Sequence, residues 1–260
     1  MIFIVGANGF VGSAFVRYCK KNNLQYASID RSNYADYIGK DCELLINAAG
    51  NSSKRLSLTE PLMDFDKNVR ETFLSILDFN FKRYIYLSSI DVYNDCANPH
   101  NNAETALINP ALLSRYGLNK YMGELMVRKY TQNHLIIRLG GMVGPGLRKN
   151  AAFDILYGNR LFVNKESAYQ YMHTDEVARI VIYLVRNFAG GETINLCGDG
   201  VVRTQQIMDW TGKNIANDDL PYEYYEINIE KLKAIMAIPT SQAAIKQYLN
   251  VSKENIHNES

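Results

Sequence analysis

The chain holds 260 residues, 47% of them hydrophobic, with 28 lysines and arginines against 27 aspartates and glutamates. That length fits one large domain, or a main domain with a small second lobe, and the even charge balance gives no electrostatic case for nucleic acid or a membrane surface. Cys19, Cys42, Cys96 and Cys197 form no C-x-x-C pair, which argues against a zinc site or a disulfide framework, predicts no metal, and suits a reducing, cytoplasmic setting.

Met1 to Val5 is apolar, and Gly6 and Asn8 end the run far short of a signal peptide or a membrane span. Its β-branched residues predict a strand over 2–5, buried on both faces. Val11, Ala14, Phe15, Tyr18 and Cys19 then recur at the spacing of a helix packed on a sheet. Tyr26 to Ile29 is a second strand, ending at Asp30. Leu44 to Ile46 is a third, leading into Asn47-Ala48-Ala49-Gly50. A helix is expected over 66–78, a strand over 84–87 running into Ser88-Ser89, a helix from Tyr116 to Tyr130, and a strand over 135–139. Beyond Gly146 the regularity weakens. A helix is predicted from Asp175 to Val185; Thr204 is placed as N-cap of a helix over 205–211, and Ser241 as cap of a last helix ending near Leu249. The polar tail 252–260 is expected to fray.

Strands alternating with helices imply an α/β protein with a Rossmann-type, doubly wound parallel sheet and right-handed crossovers, plus a small C-terminal α/β lobe. The nucleotide-binding domain is assigned to 1–146 with 170–200 returning to it, and the substrate lobe to 147–169 and 201–251.

Gly6, Gly9 and Gly12 form G-x-x-G-x-x-G between the first strand and its helix. In such a turn the first glycine allows the tight bend, the second a close approach to a pyrophosphate, and the third close helix–sheet packing. Phosphates then face the helix N-terminus. Alone, the motif reads equally well as an ordinary glycine-rich turn; the flanking strand and helix give it context. Asn8, Phe10 and Val11 are counted with the glycines as cofactor contacts. Asp30, 18 residues past Gly12, stands where an acid accepts ribose hydroxyls, which points to NAD. Arg31 follows it and could hold a 2′-phosphate, so NADP stays open.

Tyr116 and Lys120 are four residues apart and share a helix face. A free phenol, with a pKa of about 10, is a poor base at neutral pH. A nearby ammonium and an oxidised nicotinamide would lower it, towards the range useful for proton transfer. Ser89, at a strand end, could hold the substrate oxygen beside the tyrosine. With 18 tyrosines in the chain, each of these residues taken singly reads as packing; jointly, Ser89, Tyr116 and Lys120 read as catalytic.

These segments together resemble the extended short-chain dehydrogenase/reductase family, the branch of nucleotide-sugar epimerases, dehydratases and 4-keto-reductases, almost end to end. Gly6 to Gly12 resembles its glycine turn, and Asn47 to Gly50 its cofactor-lining segment. Asn68-Val69 is similar to its helix asparagine-valine, and Ser88 to Tyr93 to its serine strand. Tyr116 to Lys120, with Glu124 beyond, resembles the Y-x-x-x-K helix. Arg138-Leu139, Gly144-Pro145-Gly146, Tyr171 to Ala178 and Asn195 to Gly198 resemble the later segments. The resemblance implies further cofactor contacts at Ala48, Ala49, Gly50, Asn68, Leu87 and Leu139, with Tyr116 and Lys120 also touching the cofactor.

Departures are informative. Only 16 residues separate Asp30 from Asn47, so one strand–helix unit is shortened or missing. Ile90-Asp91 follows Ser89 where family dehydratases carry Asp-Glu, which speaks against a 4,6-dehydratase. Gly140-Gly141 stands where family epimerases have an asparagine on the substrate diphosphate, making Gly141 a substrate-side candidate. Asp91, two residues past Ser89, could meet a sugar hydroxyl or be a solvated turn residue. His173 reads as structural, and Tyr222 to Glu226 as a sugar platform, an amphipathic strand or a dimer surface. The resemblance implies an NAD(P)-dependent oxidoreductase on a nucleotide sugar: first a 4-keto-6-deoxysugar reductase, second an epimerase. A non-catalytic NAD(P) sensor is the alternative of another class. A homodimer is implied, with no nucleic-acid or membrane partner.

Overall fold

The computed structural model describes residues 1–216 and 218–258, with side chains to Val251. In chain order the elements are β1 (Ile2–Val5), α1 (Gly12–Lys21), β2 (Tyr26–Ile29), β3 (Asp41–Asn47), α2 (Lys54–Thr59), α3 (Pro61–Phe65), α4 (Glu71–Asp78), β4 (Asn80–Ser89), α5 (Arg115–Tyr130), β5 (His134–Leu139), β6 (Gly141–Val143), α6 (Ala151–Tyr157), β7 (Ala168–Tyr169), β8 (Tyr171–His173), α7 (Thr174–Asn187), β9 (Glu192–Leu196), β10 (Val202–Arg203), α8 (Thr204–Thr211), β11 (Tyr224–Tyr225), α9 (Glu230–Lys233) and α10 (Ser241–Asn258). They form two compact units: 1–94 with 104–139 and 175–195, and 95–103 with 140–174 and the chain from 196.

The first unit holds a six-stranded sheet in the order β2-β1-β3-β4-β5-β9. The β1–β2, β1–β3, β3–β4 and β4–β5 pairs are parallel. Ile4 aligns with Ile46, Ile46 with Ile85, and Ile85 with Leu135. Such apolar rows are expected where crossover helices cover both faces of a parallel sheet. Sheet growth reverses between β1 and β3, so their carboxyl ends flank the switch point where open α/β sheets bind ligands.

Several boundaries differ from the sequence reading. β3 and β4 begin earlier, at Asp41 and Asn80, because their first turns alternate exposed Asp41, Glu43 and Lys82 with buried or half-buried neighbours. Only the doubly buried part looked like a strand. The single helix expected over 66–78 is α3, a π-helical turn over Asp66–Arg70, and α4. Ahead of it lies α2, capped by Ser53, whose hydroxyl accepts from Leu56 N at 3.3 Å. Between β2 and β3 there is only a 3₁₀ turn, Tyr34–Tyr37, so β2 is the sheet edge. Asn33 partners it: Nδ2 donates to Ser28 O at 3.0 Å, and Oδ1 accepts from Asp30 N at 2.9 Å.

In the second unit β6 pairs with β8, and β10, β7 and β11 form a small sheet. Its core gathers Val143, Ile155, Tyr171, Ile207 and Ile245. The Tyr222 to Glu226 run supplies β11, where Tyr225 stacks on Tyr169 at 5.6 Å. Thr204 is not an N-cap: it opens α8, its hydroxyl donating to Ser167 O at 3.1 Å, while Arg203 holds the cap position. Ser241 likewise opens α10 and accepts from Tyr171 N at 2.9 Å. That helix runs past Leu249 to Asn258; Glu259 and Ser260 lie outside the described residues. Among those described, no helix is long and apolar enough to cross a membrane.

Candidate active site

The β1–α1 turn is built on absent side chains. Gly6 has φ +79°, and a Cβ there would lie 2.7 Å from Ala49 N. A Cβ on Gly12 would strike the Gly6 carbonyl. Gly9 N donates to Gly6 O at 2.9 Å, closing the turn. The glycine loop therefore lies directly against Ala48-Ala49 at the end of β3. Gly50, at φ +123°, presses on Asn68, whose Oδ1 would be 2.8 Å from an added Cβ. Asn68 Oδ1 also accepts from Asn51 N at 3.1 Å. The π turn places Asn68 at this position, a common use of such bulges.

At the carboxyl end of β2, Asp30 accepts from Ser32 Oγ at 2.5 Å, Ser32 N at 2.8 Å and Asn8 Nδ2 at 2.5 Å. The Ser32 hydroxyl foremost, then main-chain amides and Asn8, hold this carboxyl below its usual range. Asn8 thus joins the glycine turn to Asp30. Arg31 is exposed and acts instead on the Glu71 carboxyl of α4.

Ser114 caps α5, its hydroxyl accepting from Gly117 N at 3.0 Å. The helix buries Tyr116, Gly117, Lys120, Gly123, Glu124 and Val127, one face at helical spacing. Gly117 lets that face meet the Asp91 carbonyl, and Gly123 the Tyr86 hydroxyl. Lys120 is 5% exposed. Its Nζ donates to Leu87 O at 2.8 Å and lies 4.8 Å from the Tyr86 ring centre. Burial pulls this ammonium down to about 8, against the opposing pull of Glu124 and Asp64.

Tyr116, on the same buried face, is pulled both ways. Burial, then the Asp91 carboxylate, push its phenol above the ordinary value, while Ser89 and Lys54 act the other way. The Lys120 ammonium is turned to the Leu87 carbonyl, so it does not offset this. The phenol is therefore held protonated, as an acid.

Ser89 Oγ donates to Asp91 Oδ2 at 3.1 Å, and Asp91 pairs with Lys54 Nζ at 2.7 Å. Leu139 is Ser89's partner in the β4–β5 register. Gly141 belongs to the second unit, against Gln170 O. Beside Lys120, Glu124 is wholly buried. It accepts from Ser88 Oγ at 2.7 Å and from Arg138 Nε and Nη2 at 2.9 and 2.8 Å; Arg128 adds a fourth bond at 3.0 Å. Arg138 continues to the Tyr93 hydroxyl at 2.8 Å.

Sequence reasoning missed Lys54, Asn51, Asp64 and Asn119. An acid three residues after Pro61 reads as a solvated first-turn charge, and nothing in the spacing signals its burial.

The glycine cradle, the acid after β2 and the Tyr116–Lys120 face fit a bound dinucleotide. A model of the NAD dependent epimerase/dehydratase family matches residues 2–200. A Haloferax volcanii protein of low-salt glycan biosynthesis, Agl12, is 26% identical over 181 residues, covering 55% of this chain and 57% of that protein. The matches thus span little more than half the length of the curated relatives. MoeE5, solved with UDP-glucose and NAD, superposes with a TM-score of 0.81 at 16% identity, over 98% of this chain and 99% of that one. A dTDP-4-dehydrorhamnose reductase from Bacillus anthracis, solved with NADP, gives 0.77 at 14% identity, over 95% and 96%. Likeness at these identities fixes the fold alone. The family match itself spans all six strands of the main sheet and the positions of Ser89, Tyr116 and Lys120, and the chain belongs to the NAD dependent epimerase/dehydratase family.

Proposed function

We propose that the chain is an NAD(P)-dependent oxidoreductase reducing a keto group of a nucleotide-linked sugar, with a 4-keto-6-deoxysugar reductase as the first reading. The observation that carries it is the buried Tyr116 beside Ser89, on the same helix face as a Lys120 anchored to the Leu87 carbonyl of β4. When bound, the nicotinamide supplies the hydride. Ser89 and Tyr116 would hold the carbonyl oxygen, Tyr116 would give it a proton, and Lys120 would keep positive charge near the developing alkoxide. An epimerase is the second reading, favoured by the family's own chemistry; it uses the same residues to oxidise and re-reduce, so Tyr116 must alternate as base and acid.

Nucleotide released on denaturing the fresh protein separates them. A reductase exchanges cofactor and should come away largely empty. NADH should then bind at least about tenfold more tightly than NADPH, because Asp30 repels a 2′-phosphate. Stoichiometric retained NAD⁺ would promote the epimerase, and failure to bind either nucleotide would sink both.

A homodimer is part of the same proposal. Leu58, Leu62, Met63 and Phe65 on α2 and α3 and Leu125 and Tyr130 on α5 are exposed, more apolar surface than isolated residues explain. Light scattering should give twice the chain mass; a monomer at micromolar concentration rejects this.

A further inference from the structure

Asp64 in α3 is 0% exposed. Its Oδ1 accepts from Asn51 Nδ2 at 2.6 Å and Asn68 Nδ2 at 2.7 Å, and its Oδ2 from Asn119 Nδ2 at 2.7 Å. Among the described residues no cation lies within ion-pair distance of it. Three amides satisfy most of a carboxylate's acceptor capacity with neutral donors.

The amides come from three segments of the candidate site. Asn51 follows the Ala48-Ala49-Gly50 segment, Asn68 sits in the π turn, and Asn119 stands between Tyr116 and Lys120. The groups acting on Lys120 are few. Tyr116 and Glu124 lie one turn before and after it on its own helix, Asp64 in α3 accepts from the adjoining Asn119, and β4 contributes the Tyr86 ring and the Leu87 carbonyl. Glu124 already has two guanidinium partners, Arg138 and Arg128. Asp64 has none and is held by neutral amides.

We propose that Asp64 is a positioning residue: its buried carboxylate is the countercharge of the Lys120 ammonium, and through Asn68 and Asn119 it holds the catalytic helix to the cofactor-lining segment. A role in turnover rests on the function proposed above; the charge coupling does not. Without Asp64 the neutral amine is favoured and the midpoint of Lys120, already near 8 through burial, falls further.

The lysine Cε carbon resonance, followed by NMR against pH and assigned with Lys120→Met, reads this without any assay. Asp64→Asn should lower the Lys120 midpoint by about one pH unit, a tenfold change in its ionisation. Should that variant fold poorly, Asp64→Ser removes the same charge and serves instead. Asn119→Ala breaks one amide bond yet keeps the carboxylate, and should leave the midpoint in place. An unmoved midpoint without the carboxylate overturns the proposal, as does an equal shift in Asn119→Ala, which would trace the effect to geometry. In the active enzyme the alkaline limb of kcat/KM should move with the NMR midpoint. If the midpoint moves and the limb does not, the assignment of Lys120 to the reaction fails while the countercharge stands.

Discussion

Tyr116→Phe is expected to lower turnover by about 10²–10⁴-fold, the range for removing a positioned proton donor, while NADH binds as in the parent. The phenyl ring stays in the same pocket, so the fold should be undisturbed. Only the hydroxyl proposed to give the substrate oxygen its proton is lost. In the parent, the raised phenol means that Tyr116 should set no alkaline limb near neutral pH, and the limb expected near 8 belongs to Lys120. Single-turnover oxidation of NADH, alongside a binding titration, separates the two effects. A phenylalanine variant that still turns over at a tenth of the parent rate would remove Tyr116 from the reaction, and a sensing protein would bind and signal unchanged.

Arg138→Met is expected to destabilise the fold by about 3–5 kcal/mol at neutral pH, the cost of stranding a buried partner charge. Arg138 is 2% exposed and grips Glu124 with two bonds. Burial alone would push the Glu124 carboxyl up; hydrogen bonds and charge from Arg138, with Ser88 and Arg128, outweigh it and hold the group below its usual value. A carboxyl lowered on folding contributes stability above its unfolded value, near 4.3, and loses that contribution as pH falls through the folded one. The gap between parent and variant should therefore be widest at neutral pH and narrow below about pH 4. Urea unfolding at several pH values reads it directly. A pH-independent gap under about 1 kcal/mol would mean that methionine packing replaces the ion pair.

Both variants concern residues whose neighbourhood was partly legible in the sequence. The glycine turn, the acid after β2 and the Tyr116–Lys120 spacing could be read because each depends on local geometry: a tight turn, a strand end, one helix face. The parallel, doubly wound sheet followed from alternating elements, and its shortened unit from the few residues after Asp30. What stayed hidden depends on contacts far apart in sequence. Asp64 looked solvated because Pro61 opens its helix, and only the fold brings Asn51, Asn68 and Asn119 around it. Lys54 reaches Asp91 through a helix whose weak apolar pattern predicted nothing. For the Tyr116 phenol, sequence spacing gives the neighbouring lysine, while its burial, which pushes the phenol up, comes only from the fold.

Asn33 has a consequence for the chain's behaviour in a crowded solution. An open sheet edge is a row of main-chain donors and acceptors onto which another polypeptide can add a strand. With no strand outside it, β2 is such an edge, and Gly6 N bonding Ile29 O at 2.9 Å places the alternate residue, Ser28, facing outward. The Asn33 amide occupies the Ser28 carbonyl and the Asp30 amide together. One side chain thus stands in for a further strand, shortening the template for edge-to-edge aggregation.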